Sequence, residues 1–239
     1  MNDSERRAAL DLFYGELARL DDKVGGRRQL SLCDGRMRWP KRGVYFFFEE
    51  GEFREDGITP RVVRVGTHAL RPSSSTLWKR LSAHKGSPGG SLPGGGNHRG
   101  SIFRLHVGTA LLAAAEWSSE VQSTWGHGST APRAVREAEY SLEMAVTHKI
   151  GMMPFLWVNV DDEPHRESAR GVIESGTIAL LSNFDREPID QASSGWLGHH
   201  ANRDAVKASG LWNVNHVAGP PINDFLPVLS HFVDATSFK

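Results

Sequence analysis

The run Gly43-Val44-Tyr45-Phe46-Phe47-Phe48, followed after a polar segment by Val62-Val63-Arg64-Val65-Gly66, decides how this chain folds. Aromatic and β-branched residues dominate both runs, and Glu49-Glu50-Gly51 through Gly57 has the composition of a turn. The two are therefore expected to pair as an antiparallel hairpin with a long loop. A strand as apolar as the first is expected to be covered on both faces. Each run holds one polar residue where a purely structural strand would carry another apolar one, namely Tyr45 and Arg64.

Working outward, Ser74 or Ser75 is placed to cap a helix from Thr76 to Lys85. On it Arg80 and His84 lie four residues apart and share a face, with Leu77 and Leu81 on the packing side. The segment from Gly86 to Gly100 contains seven glycines and carries Asn97-His98-Arg99 just before its last one. No Gly-Lys-Ser/Thr follows, which argues against a nucleotide-phosphate loop. Two readings stay open: a flexible linker, or a loop that orders on a nucleic acid. Ser101 to Ala115 reads as a helix bearing Arg104 and His106, and Pro132 or Arg133 to Ile150 as one long helix. Pro154 to Val160 reads as a buried strand, and Pro164 to Leu181 as a helix with Asn183 as its C-cap. Glu174 falls among the apolar residues of that last helix, where a carboxylate is costly unless something compensates it. An N-terminal helix over Ser4 to Leu20, capped by Ser4, and a final amphipathic segment from Ile222 to Val233 complete the chain. Trp196 and Trp212 are expected to be packing anchors.

The 239 residues suffice for one large domain or a smaller core with extensions. The second is expected: an N-terminal helix and basic loop over 1–40, a core over 41–183 and an extension over 184–239. No apolar run reaches the roughly 20 residues of a membrane span, and the charged N-terminus lacks a signal-peptide core. The single cysteine, Cys33, excludes an internal disulfide framework and a cysteine-based zinc cluster. A soluble protein of the reducing cytoplasm is the expectation.

Net charge is zero, but the charge is segregated. Residues 1–22 carry three arginines against six acids, and residues 23–106 carry sixteen Lys/Arg against six. From Gly57 to Ala115 there is no Asp or Glu, while eight Lys/Arg and four His occur there. That is the electrostatic footprint of a polyanion site, with Lys79, Lys85, Asn97, His98, Arg99 and Arg104 as candidate nucleic-acid contacts. A solvated basic face is the bland alternative.

Gly43-Val44-Tyr45, Arg64-Val65-Gly66, the helix with Arg80 and His84, and Glu174 with Asn183 downstream form an ordered set. It resembles the GIY-YIG nuclease superfamily over roughly residues 41–183. The resemblance implies an α+β fold: a small three-stranded antiparallel sheet flanked by helices, here with an N-terminal helix and a C-terminal extension of helix and loop. It also implies phosphodiester hydrolysis dependent on Mg²⁺ or Mn²⁺. Tyr45 would act on the attacking water, Arg80 would steady the scissile phosphate, and Glu174 would hold the metal. His84 matches a histidine that restriction-type members carry one turn after the arginine, and Asn183 the asparagine that follows the glutamate helix. The departure is Arg64, where the second signature has tyrosine; His68, just beyond, is the candidate substitute. Glu143 is the rival carboxylate, and Glu174 is preferred because a strand precedes its helix.

The chemistry agrees with the residue types. Hydrolysing an anionic phosphodiester needs a cation on the non-bridging oxygens, a positioned water and a proton acceptor. A carboxylate suits Mg²⁺, which keeps most of its waters and needs few protein ligands, and arginine can bond phosphate through two parallel hydrogen bonds. DNA is the expected partner, with RNA left open; no membrane partner is expected, and oligomeric state is not legible. A nucleic-acid-binding module that keeps the fold without cleavage is the alternative, favoured by Arg64. A third reading is a domain serving protein contacts through its Trp-rich C-terminal region.

Overall fold

The computed structural model describes residues 1–236. In chain order its elements are α1 (Asp3–Val24), β1 (Arg28–Gln29), β2 (Gly43–Phe53), β3 (Pro60–Gly66), α2 (Leu77–Lys85), α3 (Ile102–Ala114), α4 (Ser119–Thr124), α5 (Arg133–Ala138), α6 (Tyr140–Met152), β4 (Pro154–Asn159), α7 (Ala169–Leu181), α8 (Asp204–Ser209) and α9 (Phe225–Ala235). The expected hairpin is the centre of an antiparallel sheet ordered β1-β4-β2-β3. The sheet has four strands rather than three. The extra one, β1, lies in a stretch expected to be loop and pairs only Arg28 and Gln29 with the start of β4. A two-residue strand carries no periodicity, so its sequence holds no signal for it.

Alternation along β2 sends its side chains into two cores. Val44, Phe46 and Phe48 join a cluster with α1, α7 and α9, while Tyr45 and Phe47 face the other way, toward α2, α3 and α6. This explains an apolar run without polar alternation: the strand is buried on both sides. The 184–236 segment contributes to both layers. Phe225 and Leu229 of α9 sit in the first, Trp196 and Trp212 in the second. Both indole Nε1 atoms donate to Glu49 Oε2 at 3.2 Å.

Helix ends differ from expectation where side chains find better partners. Asn2, not Ser4, caps α1, in a reciprocal capping box with Glu5. Thr76 caps α2 in place of Ser74 or Ser75. The long helix expected over 133–150 is two, separated at Glu139, whose carboxylate is held by Arg99 through two hydrogen bonds of 2.7 and 2.8 Å. Helix α7 starts five residues later than expected, at Ala169, behind its cap Ser168. Its C-cap is Ser182 rather than Asn183.

The glycine-rich segment is packed against α6, not free. Its glycines let backbone close on the buried guanidinium of Arg104: a Cβ at Gly96 would overlap it, and one at Gly94 would press on Glu143 and on the backbone of α6. The reading of the segment as a flexible linker gives way to this packing.

Candidate active site

The second strand run ends in glycine because Tyr45 lies across it. Tyr45 and Gly66 are partners in the β2–β3 ladder, and a Cβ at position 66 would collide with the Tyr45 ring and hydroxyl. Gly43 is small for a like reason, since a Cβ there would meet the Val158 carbonyl. The two glycines thus set Tyr45 in place, and Tyr45 Oη lies 2.9 Å from Nε2 of His84, on the last turn of α2. Nδ1 of His84 is in turn 2.7 Å from Ser101 Oγ. Tyr45 and His84 are wholly buried, and Ser101 nearly so. Sequence reasoning missed Ser101, whose one signal was a serine directly ahead of a helix. It is that cap as well, accepting the Arg104 amide at 3.3 Å.

Arg64 joins this buried layer to an open hollow. Its guanidinium lies over the Phe103 ring at 4.6 Å and donates to the Trp212 carbonyl at 2.5 Å, while its Nε has no protein partner. Burial lowers its pKa, and Tyr45, Arg80 and Glu174 all lie within its electrostatic reach, Tyr45 within hydrogen-bonding reach. Arg64, Arg80 and Glu174 line one cavity of about 400 Å³. Arg80 and Glu174 also line a second, of about 350 Å³, with Thr67, His68, Ala69, Leu70 and Ser75. The Arg80 side chain makes no hydrogen bond or ion pair among the described residues and is free to take an anion.

Glu174 reaches this point although α7 packs on the opposite face of the sheet. It stands beside the chain just past β3, where Oε1 accepts the Thr67 amide at 3.1 Å. Burial raises its pKa, against the pull of that amide and of Arg64, Arg80 and Arg170. A half-buried carboxylate that lines two hollows, with no hydrogen bond to its second oxygen among the described residues, fits a divalent cation. No cluster of three or more His, Cys, Asp or Glu that could hold a metal occurs among the described residues. A cation here would keep most of its own waters, as Mg²⁺ does.

The rival Glu143 is fully committed elsewhere, to His98 and Arg104. That network also uses up two of the candidate nucleic-acid contacts: His98 and Arg104 are interior residues. Arg99 is closed in its pair with Glu139, both side chains no more than 3 % exposed. Lys85 donates to the Cys33 carbonyl at 2.5 Å, and Asn97 caps the short turn after the glycines. Lys79 is exposed. Asn183 stands apart from both hollows. It accepts from Arg6 at 2.9 Å and bonds both backbone groups of Ile189. His68 lines the second hollow, donating Nε2–H to the Lys41 carbonyl at 3.3 Å, and its Nδ1 is buried without a partner.

Three histidines around this site are held neutral. Burial, with arginines nearby, lowers His68 and His106 to about 4 and His84 well below its ordinary 6.5. In the unfolded chain all three take up protons below about 6.5. The stability they contribute is therefore complete above that pH and is lost as pH falls toward 4. Glu174, with its raised pKa, runs the other way but is one group against three. The urea midpoint is expected to be lower at pH 5 than at pH 7.5, and an equal or higher midpoint at pH 5 would contradict neutral burial.

A family model of the GIY-YIG domain matches residues 4–239. The chain belongs to the GIY-YIG family and has its nuclease-type fold; Tyr45 lies on β2, Arg64 on β3 and Glu174 on α7. The match takes in the N-terminal helix and the C-terminal segment along with the central region. No curated protein and no solved structure matches the chain. Among the described residues no helix is long and apolar enough to cross a membrane.

Proposed function

We propose that this protein is a divalent-metal-dependent endonuclease that hydrolyses DNA phosphodiester bonds. The observation that carries the reading is the meeting of Glu174, Arg80 and Arg64 on the walls of one hollow, backed by the Tyr45–His84–Ser101 chain. Glu174 would hold Mg²⁺ or Mn²⁺, which when bound offsets charge on the phosphate and lowers the pKa of its waters. Arg80, without a protein partner, takes the scissile phosphate. Arg64 adds a second fixed positive charge in the place of the family's second tyrosine.

Proton transfer follows from the hydrogen bonds. Tyr45 Oη faces the cation of Arg64, which can only donate, so the phenol proton points to Nε2 of neutral His84. His84 then carries its own proton on Nδ1, donated to Ser101 Oγ. A water admitted to Tyr45 Oη, which lines neither hollow in the free protein, would pass its proton there while the phenol proton moves to His84 Nε2. The anionic phosphate supplies the negative charge that this imidazolium lacks in the free protein. His68, on the wall of the second hollow, and exposed Lys79, next to Arg80 in α2, are the outer contacts to the strand.

The test is supercoiled plasmid incubated with Mg²⁺ or Mn²⁺, beside labelled single-stranded DNA and RNA. Nicked or linear plasmid is expected with metal, none with excess chelator, and recovery when metal is restored. Arg64 favours a second reading, a nucleic-acid-binding module of the same fold. Binding without cleavage in either metal would leave that reading standing, and no binding at low salt would remove both.

A further inference from the structure

The cavity of about 400 Å³ is lined by Arg64, Arg80 and Glu174 and also by residues of the C-terminal segment. That segment is fastened along the free edge of β3. Trp212 donates its amide to the Val63 carbonyl at 2.7 Å, and the Asn213 side chain bonds both the amide and the carbonyl of Val65, at 3.1 and 2.8 Å. The chain leaving this edge brings Asn215 and His216 to the cavity, which His106 of α3 and Arg203 just ahead of α8 also line.

Three features of this end point to an anion. Three of the cavity's lining residues are arginines, and Glu174 is its only acid. Arg203 is exposed and makes no side-chain hydrogen bond or ion pair among the described residues. His106 lines the cavity at 3 % exposure, and its Nε2 is a buried hydrogen-bonding atom left without a partner. His216 adds a left-handed backbone, φ 67°, at a non-glycine position, a conformation that persists where surrounding structure holds it. A stacked base is the poorer fit, since Trp212 is fully buried and its indole N–H is spent on Glu49.

We infer that the Arg203–His106 end of the cavity binds a second phosphate, that of the nucleotide next to the scissile bond on the same strand. The inference rests on the nuclease reading and names a contact that the four signature elements do not provide. Occupying both positions holds the strand across Glu174 at two points, which fixes the scissile bond in register.

Isothermal titration of the full chain with thymidine 5′-monophosphate and thymidine 3′,5′-bisphosphate separates the two positions without knowledge of any preferred sequence. The bisphosphate is expected to bind about tenfold more tightly, the scale of one charge-assisted hydrogen bond at a partly exposed site. Arg203→Ala is expected to remove that gain and leave the monophosphate Kd within about twofold, while Arg203→Lys keeps part of it. Equal affinities for the two nucleotides, or equal weakening of both by Arg203→Ala, would overturn the second position and leave the nuclease reading intact. Failure of the parent protein to bind either nucleotide would remove the phosphate centre itself.

Discussion

Glu174→Gln is expected to lower plasmid cleavage by about 10²–10³-fold or more without lowering stability, the scale associated with losing one charge stabiliser at a reacting centre. The amide keeps the size of the carboxylate and can still accept the Thr67 amide. Only the charge is lost, and with it the ligand for a hard cation. Because burial outweighs Arg64, Arg80 and Arg170 and raises the Glu174 pKa, the neutral form already suits this position better than water does. The melting temperature is therefore expected to stay level or rise. Nucleic-acid affinity without metal should increase, since the one acid of the cavity is gone. Cleavage above a tenth of the parent rate would dismiss Glu174 as the metal ligand. Lost cleavage together with a large fall in melting temperature would make the carboxylate structural.

Glu143→Ala is expected to show the opposite pattern, a fall in stability of about 3–5 kcal/mol, the usual result of removing one partner from a buried charged pair. Glu143 Oε1 accepts the His98 amide at 2.7 Å and His98 Nδ1 at 3.0 Å, and Oε2 accepts Arg104 Nε at 3.1 Å and Nη2 at 2.5 Å. Arg104 also donates to the carbonyls of His84 and Glu143 and to Thr147 Oγ1. One carboxylate therefore ties the end of α2, the glycine-rich segment, α3 and α6 together. Without it Arg104 is a wholly buried cation lacking its counter-charge. For a chain of this size the melting temperature should drop by about 10 °C, and urea unfolding measures the free energy directly. A loss below about 1 kcal/mol would mean the network matters little. Any fall in cleavage in this variant should track the folded fraction, which separates it from Glu174→Gln.

The hairpin, the buried strand β4 and the order of helices could be read from residue pattern, because an apolar strand bounded by turn residues has few alternatives. The signature residues were likewise visible as polar intrusions in apolar runs. The basic character of Gly57 to Ala115 was visible too, but not where each charge goes. His98, Arg99 and Arg104 have the composition of a phosphate-binding patch and are instead spent on Glu139 and Glu143. Those acids lie about forty residues downstream, beyond the reach of any local pattern. Asn183 is likewise taken up by partners, Arg6 and Ile189, that meet it in the folded chain.

What the sequence determined by itself was the hairpin and the small residues flanking Tyr45, because strand alternation and steric fit act between near neighbours. Which acid faces the hollow, that Ser101 completes the hydrogen-bonded chain behind Tyr45, and that Arg203 and residues 212–216 wall the cavity were decided only by tertiary structure. Long-range pairing of buried charges and closure of the C-terminal segment on the edge of β3 set those choices. Both depend on which surfaces are desolvated together, a property of the packed chain that residue order alone does not carry.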